Sequence, residues 1–533
     1  MRSLTKKILS KLSAEKQTSQ NLKFLLESDW FDEGYYVKEN DIPAENQVEC
    51  LTRVGAIKHY LNHGVDLGFN PSAKFNTAWY LERYKDIRKS KINPLIHFLR
   101  YGVNEGRIPK PPLLEDLNNA AYNDKNPKIT FYSTRSDGFG ERIKSILNGL
   151  VLAEYFNCDF RFSWPASSHL GDSHSVASAK ETFSDEFLAK YFVSDIPDDI
   201  SNFDSVENLS GNGGTISLRV SQANIFNQFP FLQEKLSRDV FGKAFSSIDF
   251  SDEITSAINT AKSIEINSPS ISVHLRSGDI VYGRYRFDDR YTNKVISYPQ
   301  ADFICGAANS DNCHVIIFGE NQDVCRKLAD RNNSSYFGDW AGLRNMTQLQ
   351  KAIFDIVLMS RTDRIYAGNS GFSQLAEWIG HTPICSPDDN FNRHAMANHI
   401  IDVLESSVSE SFDDFQNGFG SWHLVFNYKD IIGRSNAILH LEKALLYTPD
   451  CLFYHAVLAS LYFESGAISK ANHHLDILIS SKPKPEGVGS YEYLTEYKYS
   501  DGKKPLHKYR GNMLAMSKNG VSKAGDVFRA LAH

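Results

Sequence analysis

The segment Ile271-Ser-Val-His-Leu-Arg-Ser-Gly-Asp-Ile280 predicts a β-strand that ends in a cluster of polar groups. The apolar residues Ile271 and Val273 alternate with polar residues at the strand period, and Ser277-Gly278-Asp279 is a turn signal. In an α/β sheet, the carboxyl end of a strand is where nucleotides and sugars usually bind. The segment therefore predicts an α/β fold with a ligand site at this turn.

The side chains at this turn suit an anionic ligand. Arg276 offers a planar fork of hydrogen-bond donors for a pyrophosphate, and His274 can bond a hydroxyl or a phosphate. Gly278 lets the backbone approach a ligand closely, and Asp279 can fix the arginine or accept a hydrogen bond from a sugar. The alternative is a strand end that carries an ordinary Arg–Asp surface pair.

Length and composition restrict the class of protein. A chain of 533 residues is too long for one hydrophobic core, so we expect several domains. The 41% of hydrophobic and 23% of charged residues are typical of a soluble globular protein, and the net charge of -6 argues against nucleic acid as the main partner. The seven cysteines are scattered without a Cys-x-x-Cys pair, as in reduced cytosolic proteins.

Both ends of the chain are basic although the chain as a whole is acidic. Residues 1–20 form a basic leader without the apolar core of a secretory signal, and residues 486–533 form a basic tail. Such ends either contact an anionic membrane or an acidic glycan, or are solvated disordered segments. No later stretch is long and apolar enough to span a bilayer, so we expect a cytoplasmic protein.

Residues 21–112 contain a duplicated aromatic pattern. The segment from Trp30 to Tyr36 recurs at residues 74–80, and the segment from Ile57 to Gly64 recurs at residues 95–102. Each copy predicts two short helices, of which the last begins at Asn93-Pro94 in the second copy and ends at a glycine in both. The aromatic residues are interpreted as core, with a carbohydrate-stacking surface as the alternative.

This pattern resembles a small module found beside bacterial glycosyltransferase domains for surface polysaccharides. The resemblance rests on Phe-Asp-x-x-Tyr-Tyr, followed by Asn-Pro-Leu-x-His-Phe-Leu-x-x-Gly-x-x-Glu-Gly-Arg. The second copy, which includes Asn104, Glu105, Gly106 and Arg107, matches more closely than the first. The resemblance implies a biological context and no chemistry of its own.

After a linker at residues 113–128, the chain predicts two Rossmann-like halves at residues 129–263 and 264–405. In the first half, the strand Lys128–Ser133 leads into Gly138-Phe-Gly-Glu-Arg-Ile143, which starts a helix. In the second half, the strand Arg364–Ala367 leads into Asn369-Ser-Gly-Phe-Ser373 and another helix. A helix start of this kind suits an anion, and both strand ends of the second half can face one nucleotide pocket.

Taken in order, these motifs resemble those of the α-1,2, α-1,6 and protein O-fucosyltransferase superfamily. The matching segments are Gly138–Ile143, His274-x-Arg-x-Gly-Asp279, Phe318-Gly-Glu-Asn321, and Met359-Ser-x-x-Asp363 with Asn369–Ser373. The match covers residues 129 to 405. It implies two Rossmann-like halves of GT-B type, with acceptor and nucleotide-sugar sides, and an inverting transfer of fucose from GDP-fucose without an essential metal.

The resemblance also implies roles for individual residues. Arg276 would bind the β-phosphate and stabilise the leaving GDP, and His274 would act beside it. The donor-binding residues implied by the matched motifs are Gly138, Gly140, Arg142, Arg276, Gly278, Asp279, Asn369, Ser370, Gly371, Phe372 and Ser373. No metal ligand and no cofactor other than the GDP-sugar is expected, since the chain lacks an Asp-x-Asp pair.

Two roles remain open in the sequence. The base that activates the acceptor hydroxyl is assigned to Glu141, with Asp288 and Asp289 as rivals, or Glu141 merely suits the helix dipole. Tyr282, Arg284, Asp288 and Asp289 are assigned to the acceptor cleft, or belong to a solvated loop. Glu141 and the turn Ser370–Gln374 depart from the usual family motifs, so another GDP-sugar is an alternative to GDP-fucose.

The carboxyl-terminal region predicts helical repeats. After a linker at residues 406–417, the pairs Ala437/Ala471 and Leu441/Leu475 are each 34 residues apart, the length of a tetratricopeptide repeat. Residues 418–485 therefore predict two tetratricopeptide-like repeats that pack on the catalytic domain or on a protein partner. The histidines in these helices are interpreted as surface residues and not as metal ligands.

The sequence thus predicts a bacterial glycosyltransferase, fucosyltransferase-like and dependent on a GDP-sugar. Its acceptor would be an oligosaccharide or polysaccharide of the capsule or lipopolysaccharide, and it would work in the cytoplasm or peripherally on the cytoplasmic face of the inner membrane. The alternative is a non-catalytic glycan-binding or scaffold protein with a vestigial transferase fold. A hydrolase that uses His274 and Asp279 is a weaker alternative, since no nucleophile elbow or metal set accompanies them.

Overall fold

We analysed a computed structural model of the chain. It describes residues 21–40, 42, 50, 52–72, 74–90, 92–103, 105, 107, 109–110, 128–165, 176–198, 200–202, 215–229, 231–481, 494–495, 506 and 509–531. The predicted basic leader and residues 113–127 of the predicted linker lie outside the described residues. The structure has mixed α/β character, is rich in helices and contains two parallel sheets.

The described residues between 21 and 103 are mostly helical. The helices are α1 (21–26), α2 (Glu33–Glu39), α3 (Arg53–His59), α4 (Thr77–Arg83), α5 (Lys85–Ser90) and α6 (Pro94–His97), and π-helical turns at Tyr60–Gly64 and Phe98–Gly102 continue α3 and α6. As predicted, Asn93 begins the last helix, because its side chain accepts a hydrogen bond from the Ile96 amide and Pro94 follows it.

The two copies of the aromatic pattern make the same buried contact. The Tyr36 hydroxyl lies 2.8 Å from Nδ1 of His59, and the Tyr80 hydroxyl lies 3.0 Å from Nδ1 of His97. Most of the repeated aromatic side chains are buried: Phe31, Tyr36, Tyr60, Phe75, Trp79, Tyr80 and Phe98. These rings therefore form a core, and the interpretation of them as a sugar-stacking surface is wrong.

Residues 128–263 contain the first sheet. Its strands are β1 (Lys128–Ser133), β2 (Asp159–Phe162), β3 (Ser201–Asn202) and β4 (Thr215–Arg219), parallel and ordered β2-β1-β4-β3. The helices are α7 (Phe139–Phe156), α8 (Ala179–Thr182), α9 (Asp185–Tyr191), α10 (Ile225–Gln228), α11 (Phe231–Lys235), α12 (Val240–Ser246) and α13 (Asp252–Ser263). The first strand, assigned in part to the linker at residues 113–128, begins at Lys128.

Residues 264–405 contain the second sheet. Its strands are β5 (Ser270–Leu275), β6 (His314–Gly319), β7 (Ser335–Tyr336), β8 (Arg364–Ala367) and β9 (Ile384–Cys385), all parallel and ordered β7-β6-β5-β8-β9. The helices are α14 (Tyr298–Ser310), α15 (Gln322–Asn332), α16 (Gln348–Met359), α17 (Gly371–Gly380), α18 (Pro387–Asn390) and α19 (Arg393–Glu405). The strand order reverses between β5 and β8, which is where open α/β sheets bind ligands.

Short helical turns fill two connections in this region. A π-helical turn at Gly278–Tyr282 and 3₁₀ turns at Arg284–Phe287 and Asp289–Lys294 follow β5, and another 3₁₀ turn at Ala341–Leu343 follows β7. The stretch after β5 is therefore an ordered series of tight turns. We call residues 278–295 the β5 loop.

The chain divides into two compact units. One contains residues up to 135 with 144–165 and 191–240, and the other contains 136–143, 166–190 and 241–533. The predicted boundary at residues 263 and 264 therefore moves, because residues 241–263 belong with the second sheet. The Phe241 ring stacks on Trp378 at 4.5 Å between centroids, and Arg361 donates to the carbonyl of Ala261.

The carboxyl-terminal region is helical and belongs to the second unit. Its helices are α20 (Asp414–Tyr447), α21 (Phe453–Glu464), α22 (Ile468–Ser480), α23 (Arg510–Lys518) and α24 (Ala524–Ala530), and a 3₁₀ turn lies at Ser409–Ser411. The backbone of α20 leaves the helical conformation at Tyr428 and Gly433. The repeated alanines and leucines predicted from the 34-residue spacing are buried: Ala437, Ala471, Leu441 and Leu475.

Two predicted boundaries in this region change. The linker at 406–417 is shorter than predicted, because the Asp413 side chain caps α20 and the helix begins at residue 414. The basic tail at 486–533 is folded where it is described, since α23 and α24 bury apolar residues such as Met513, Met516 and Val527. Their apolar spacing is helical, which the lysine and arginine content of the tail had obscured. The repeat identity of these helices stays a prediction.

Within the described ranges, no helix combines the length and the apolar character needed to cross a membrane.

We predict that Gly102→Ala destabilises the aromatic module by roughly 1–3 kcal/mol, the usual cost of overpacking. A Cβ atom on Gly102 would lie 2.6 Å from the Tyr80 hydroxyl, which would have to leave His97. Hydrogen exchange of the peptides covering residues 75–103 measures the local stability. Gly34→Ala in α2 is the control, because its nearest neighbour would lie 3.4 Å away, and exchange no faster in Gly102→Ala than in this control would contradict the contact.

We predict that the free energy of unfolding falls as the pH is lowered from 7 to 5. Burial lowers the pKa of five histidines, to about 3 for His274 and about 4 for His423, His440, His455 and His474. In the unfolded chain, imidazoles protonate near pH 6.5. At a pH between the folded and unfolded pKa values, the unfolded state binds more protons than the folded state, so acid favours unfolding. Each histidine contributes at most about 1.4 kcal/mol per pH unit.

Urea unfolding at several pH values measures this slope. His440→Gln should reduce the loss of stability between pH 7 and 5, because the unfolded variant takes up one proton fewer. The same slope in wild type and variant would contradict the prediction.

Candidate functional site

The turn after β5 holds an arginine on a buried carboxylate. The Arg276 guanidinium donates from Nη2 to both oxygens of Asp279, at 3.1 Å each. The Asp279 side chain is 6% exposed and that of Arg276 is 16% exposed. The carboxylate thus fixes an arginine that keeps a reachable face, as the sequence predicted for Asp279.

The imidazole of His274 lies beside this arginine in a dry environment. Its ring stacks on Phe372, with 5.2 Å between centroids and 19° between planes. Burial, and then the positive charge of Arg276, lower the pKa of His274 to about 3. Its Nδ1 atom is buried and has no hydrogen-bond partner among the described residues. The ring is therefore neutral, and its Nδ1 is enclosed by protein without a hydrogen-bond partner in the part of the chain that the structure describes.

The first turns of α7 and α17 are in close contact. A Cβ atom on Gly140 would lie 2.7 Å from the carbonyl oxygen of Gly371 and 3.1 Å from the amide nitrogen of Phe372. A Cβ atom on Gly371 would in turn overlap the Glu141 carboxylate. The two glycines therefore let the helix starts touch, and Glu141 lies at their junction.

The serines after β8 form an internal helix cap. The hydroxyl oxygen of Ser370 accepts from the Ser373 amide at 3.2 Å, and the two hydroxyls lie 3.1 Å apart. Both side chains are fully buried. Their hydroxyls thus stabilise the start of α17, and the predicted contact with donor phosphates would have to come from the backbone of this turn.

The same turn rests on the end of the β5 loop. The Asn369 amide donates to the carbonyl of Asn293 at 3.0 Å, and the Asn369 side-chain oxygen accepts from Gln374. A Cβ atom on Gly368 would overlap the backbone of Lys294 and Val295. The connection after β5 and the connection after β8 are therefore packed together.

Arg142 stabilises the turn that precedes α7. Its guanidinium donates to the carbonyls of Asp137 at 2.6 Å and Ser136 at 2.8 Å, and the side chain is almost fully buried. Burial lowers the pKa of Arg142. The donor-binding role predicted for Arg142 therefore becomes a role in shaping the turn that contains Gly138.

Two further motif residues, Glu320 and Asp363, lie at opposite ends of the strands. The Glu320 carboxylate at the end of β6 lies against Gly278, where a Cβ atom would overlap it. Asp363 lies at the opposite edge of the sheet, where it accepts from the Ser270 amide at 2.8 Å. Glu320 therefore borders the site, whereas Asp363 fixes the start of β5.

The residues predicted to line the acceptor cleft are engaged inside the protein. The Tyr282 hydroxyl donates to Asp413 at 2.7 Å, Asp288 is buried and paired with Arg290, and Asp289 accepts from the Tyr509 hydroxyl at 2.8 Å. The polar groups of these three residues bond within the protein, and their assignment to the acceptor cleft stays a prediction. The side chain of Arg284 lies outside the described residues.

Asp355 in α16 is a candidate that sequence reasoning missed. Burial raises its pKa to about 7, although its side chain is not fully enclosed. Its charge acts on Cys325 and Tyr336, which places it near the carboxyl ends of β6 and β7. The only available signal was a carboxylate among apolar helix residues, in Ile353-Phe-Asp-Ile356.

The described part of the chain contains no group of three or more histidine, cysteine, aspartate or glutamate side chains suited to a metal ion. Positive charge at the site comes from Arg276 and from the amide groups at the starts of α7 and α17. Such an arrangement can hold an anion and can stabilise negative charge that develops on it.

No protein-family model matches the chain, and no curated protein matches it significantly. Among solved structures, NodZ α-1,6-fucosyltransferase soaked with GDP-fucose is 14% identical over 47% of this chain and 92% of its own, with a TM-score of 0.30. Fucosyltransferase NodZ from Bradyrhizobium is 13% identical over 47% and 93%, with a TM-score of 0.31. POFUT1 in complex with GDP is 13% identical over 49% and 98%, with a TM-score of 0.28. We therefore take the chemistry of the site from its own residues.

We predict that Gly140→Ala lowers the stability of the fold by roughly 1–3 kcal/mol, because its methyl group would push the first turns of α7 and α17 apart. Thermal unfolding of the purified protein measures the change. Gly138→Ala is the matched control, since no atom lies within 4 Å of a Cβ at that position. Equal melting temperatures for the two variants would contradict the close packing of the helix starts.

Proposed function

We propose that this protein is a glycosyltransferase that transfers a sugar from a GDP-sugar, with fucose as the preferred sugar, to a glycan acceptor. The observation that carries the proposal is the meeting of three separate motif segments in one unit. Residues 138–142, 274–279 and 369–373 come together at the carboxyl ends of β5 and β8, where the strand order reverses. This is where an open α/β sheet binds a nucleotide.

The charges at this place suit a nucleoside diphosphate as leaving group. Negative charge grows on GDP as its bond to the sugar breaks, and a preoriented arginine stabilises that charge without further rearrangement. Asp279 provides the preorientation of Arg276. The amide groups at the starts of α7 and α17 add further positive charge beside Arg276. In this proposal the reaction therefore needs no divalent cation.

His274 acts as a binding residue in this proposal. Because its pKa is lowered to about 3, the neutral ring is a poor base and brings no second positive charge. Its Nδ1 can exchange one hydrogen bond with a phosphate or a sugar hydroxyl, while stacking on Phe372 fixes the ring plane. The ring thus orients the donor next to Arg276.

An inverting transfer needs a base for the acceptor hydroxyl, and Glu141 is our candidate. Its carboxylate lies at the junction of the two helix starts. The rivals Asp288 and Asp289 are buried and bonded to Arg290 and Tyr509. We prefer Glu141 among the three carboxylates because it contacts the glycine that starts α17.

Asp355 supports guanine as the base of the donor. A carboxylate can accept from the adjacent N1–H and N2–H₂ groups of guanine, which uracil and thymine do not offer. Burial raises the pKa of Asp355 and so disfavours its charged form, which hydrogen bonds from such donors would stabilise. The preference for a GDP-sugar is proposed from the motif resemblance.

The biological setting is proposed from the aromatic module. Its resemblance to modules beside polysaccharide glycosyltransferases favours a bacterial surface glycan, of capsule or lipopolysaccharide type, as the acceptor. The enzyme would then work in the cytoplasm, where GDP-sugars are used, or peripherally on the anionic face of the membrane. The carboxyl-terminal helices would serve a protein partner in this scheme.

We predict that GDP, but not UDP, CDP or TDP, raises the melting temperature of the purified protein in the presence of EDTA. A ligand that binds only the folded state stabilises it, and at a hundredfold excess over its dissociation constant the gain is about 2.7 kcal/mol. Arg276→Ala should abolish the shift. Arg276→Lys should lose most of the transfer activity while it still folds, because a lysine cannot form the bidentate contact.

The outcomes separate the alternatives. A shift with UDP or TDP alone would keep a transferase and discard GDP-fucose. No shift with any nucleotide would favour a scaffold protein with a vestigial site. Full turnover of GDP-fucose by Arg276→Lys would contradict the role proposed for the arginine.

A further inference from the structure

The β5 loop connects the two halves of the candidate site. It begins beside Arg276 at Gly278, and it ends where Asn293 and Lys294 support the turn at Gly368 and Asn369. Any displacement of this loop therefore moves the carboxylate of Asp279 or the start of α17. The loop determines how the two strand-end motifs face each other.

The outer side of the β5 loop is bonded to the carboxyl-terminal helices along its whole length. The contacts, in chain order, are Tyr282 with Asp413 at 2.7 Å and Gln416 at 3.0 Å, Arg286 with Asp450, Asp289 with Tyr509 at 2.8 Å, and Thr292 with Trp422 at 2.9 Å. The partners come from α20 and its N-cap residue Asp413, from the turn after α20, and from the residue before α23.

These contacts are polar, directional and largely buried. Asp289, Thr292 and Trp422 are each no more than 3% exposed. Arg286 pairs with Asp450 and also donates to the carbonyl of Tyr282 at 3.2 Å, within the π-helical turn that contains Asp279. Leaving a buried donor or acceptor without its partner costs about 1–3 kcal/mol of folding stability. The helices therefore fix the conformation of the loop and do more than cover it.

We propose that Asp450 and Tyr509 are positioning residues for the donor site. Asp450 acts through Arg286 on the turn with Asp279, and Tyr509 acts through Asp289 on the second half of the β5 loop. The carboxyl-terminal helices thereby help to set the geometry of the donor site through the β5 loop. This inference rests on the proposed function, because it concerns the binding of the GDP moiety.

The test compares Asp450→Asn and Tyr509→Phe in the full-length chain. Each should speed amide hydrogen exchange in peptides covering residues 278–295 and weaken GDP binding on the order of tenfold, within the usual range for coupling between distinct sites. Calorimetric titration with GDP and exchange measured by mass spectrometry give the two quantities. Asp450→Glu, which retains a carboxylate for Arg286, should restore both.

Glu405→Gln is the matched control. It removes an ion pair with Lys443, at 2.7 Å, that links α19 to α20 but does not involve the β5 loop. It should leave GDP affinity and exchange at residues 278–295 unchanged, and its melting temperature gives the effect of losing one contact between these helices. If the control loses as much GDP affinity as the test variants, the loss reflects general destabilisation. That result would overturn the proposal.

Other outcomes are equally decisive. Wild-type GDP affinity in both Asp450→Asn and Tyr509→Phe would overturn the positioning role while the proposed function stands. Faster exchange in the loop without weaker GDP binding would overturn it as well. A wild-type protein that binds no GDP would overturn the proposed function and, with it, this role.

Discussion

The parallel pairing of β5 with both β6 and β8 is the constraint on which the candidate site depends. In this register, His274 lies opposite Phe318 on one side and Ala367 on the other. The three chain segments that follow these strands therefore leave the sheet side by side. Arg276, Glu320 and Asn369 reach the same edge although long stretches of sequence separate them. Because β5 is buried on both faces, its side chains at this edge have little freedom to shift.

Much of this arrangement could be predicted from local sequence patterns. Strand periodicity, glycines and turn residues located β1, β5 and β8 and the helices after them, and the rule for strand ends placed the motifs at one edge. The glycines were interpreted as sites of close approach to a ligand, whereas in the structure Gly140 and Gly371 bring two helix starts into contact. These predictions depend on residues only a few positions apart, where backbone geometry restricts the possibilities.

The differences concern side chains whose partners the local pattern does not reveal, whether these lie far away in the chain or in the backbone of the same turn. Tyr282 and Asp289 looked like free polar groups of a loop, but their partners lie 131 and 220 residues later. Arg142 and Ser373 were assigned to a ligand because of the motif they belong to, yet both are used to shape their own turns. Local periodicity carries no information about such partners. For the same reason, Asp355 was missed, since only the packing around it reveals a buried carboxylate.

The break in α20 has a consequence for how the carboxyl-terminal region can influence the rest of its unit. Gly433 has a φ of 75°, in the left-handed region that other residues avoid, so the helix is interrupted at a fixed point. Before the break, Asn417 and Trp422 pack on α14 and the β5 loop, and after it Ala437 and Leu441 lie in the core of the later helices. An interrupted helix does not transmit torsion as a rigid rod. The later helices are therefore connected to the β5 loop by side-chain contacts, such as those of Asp450 with Arg286 and of Tyr509 with Asp289, and not by a continuous α20.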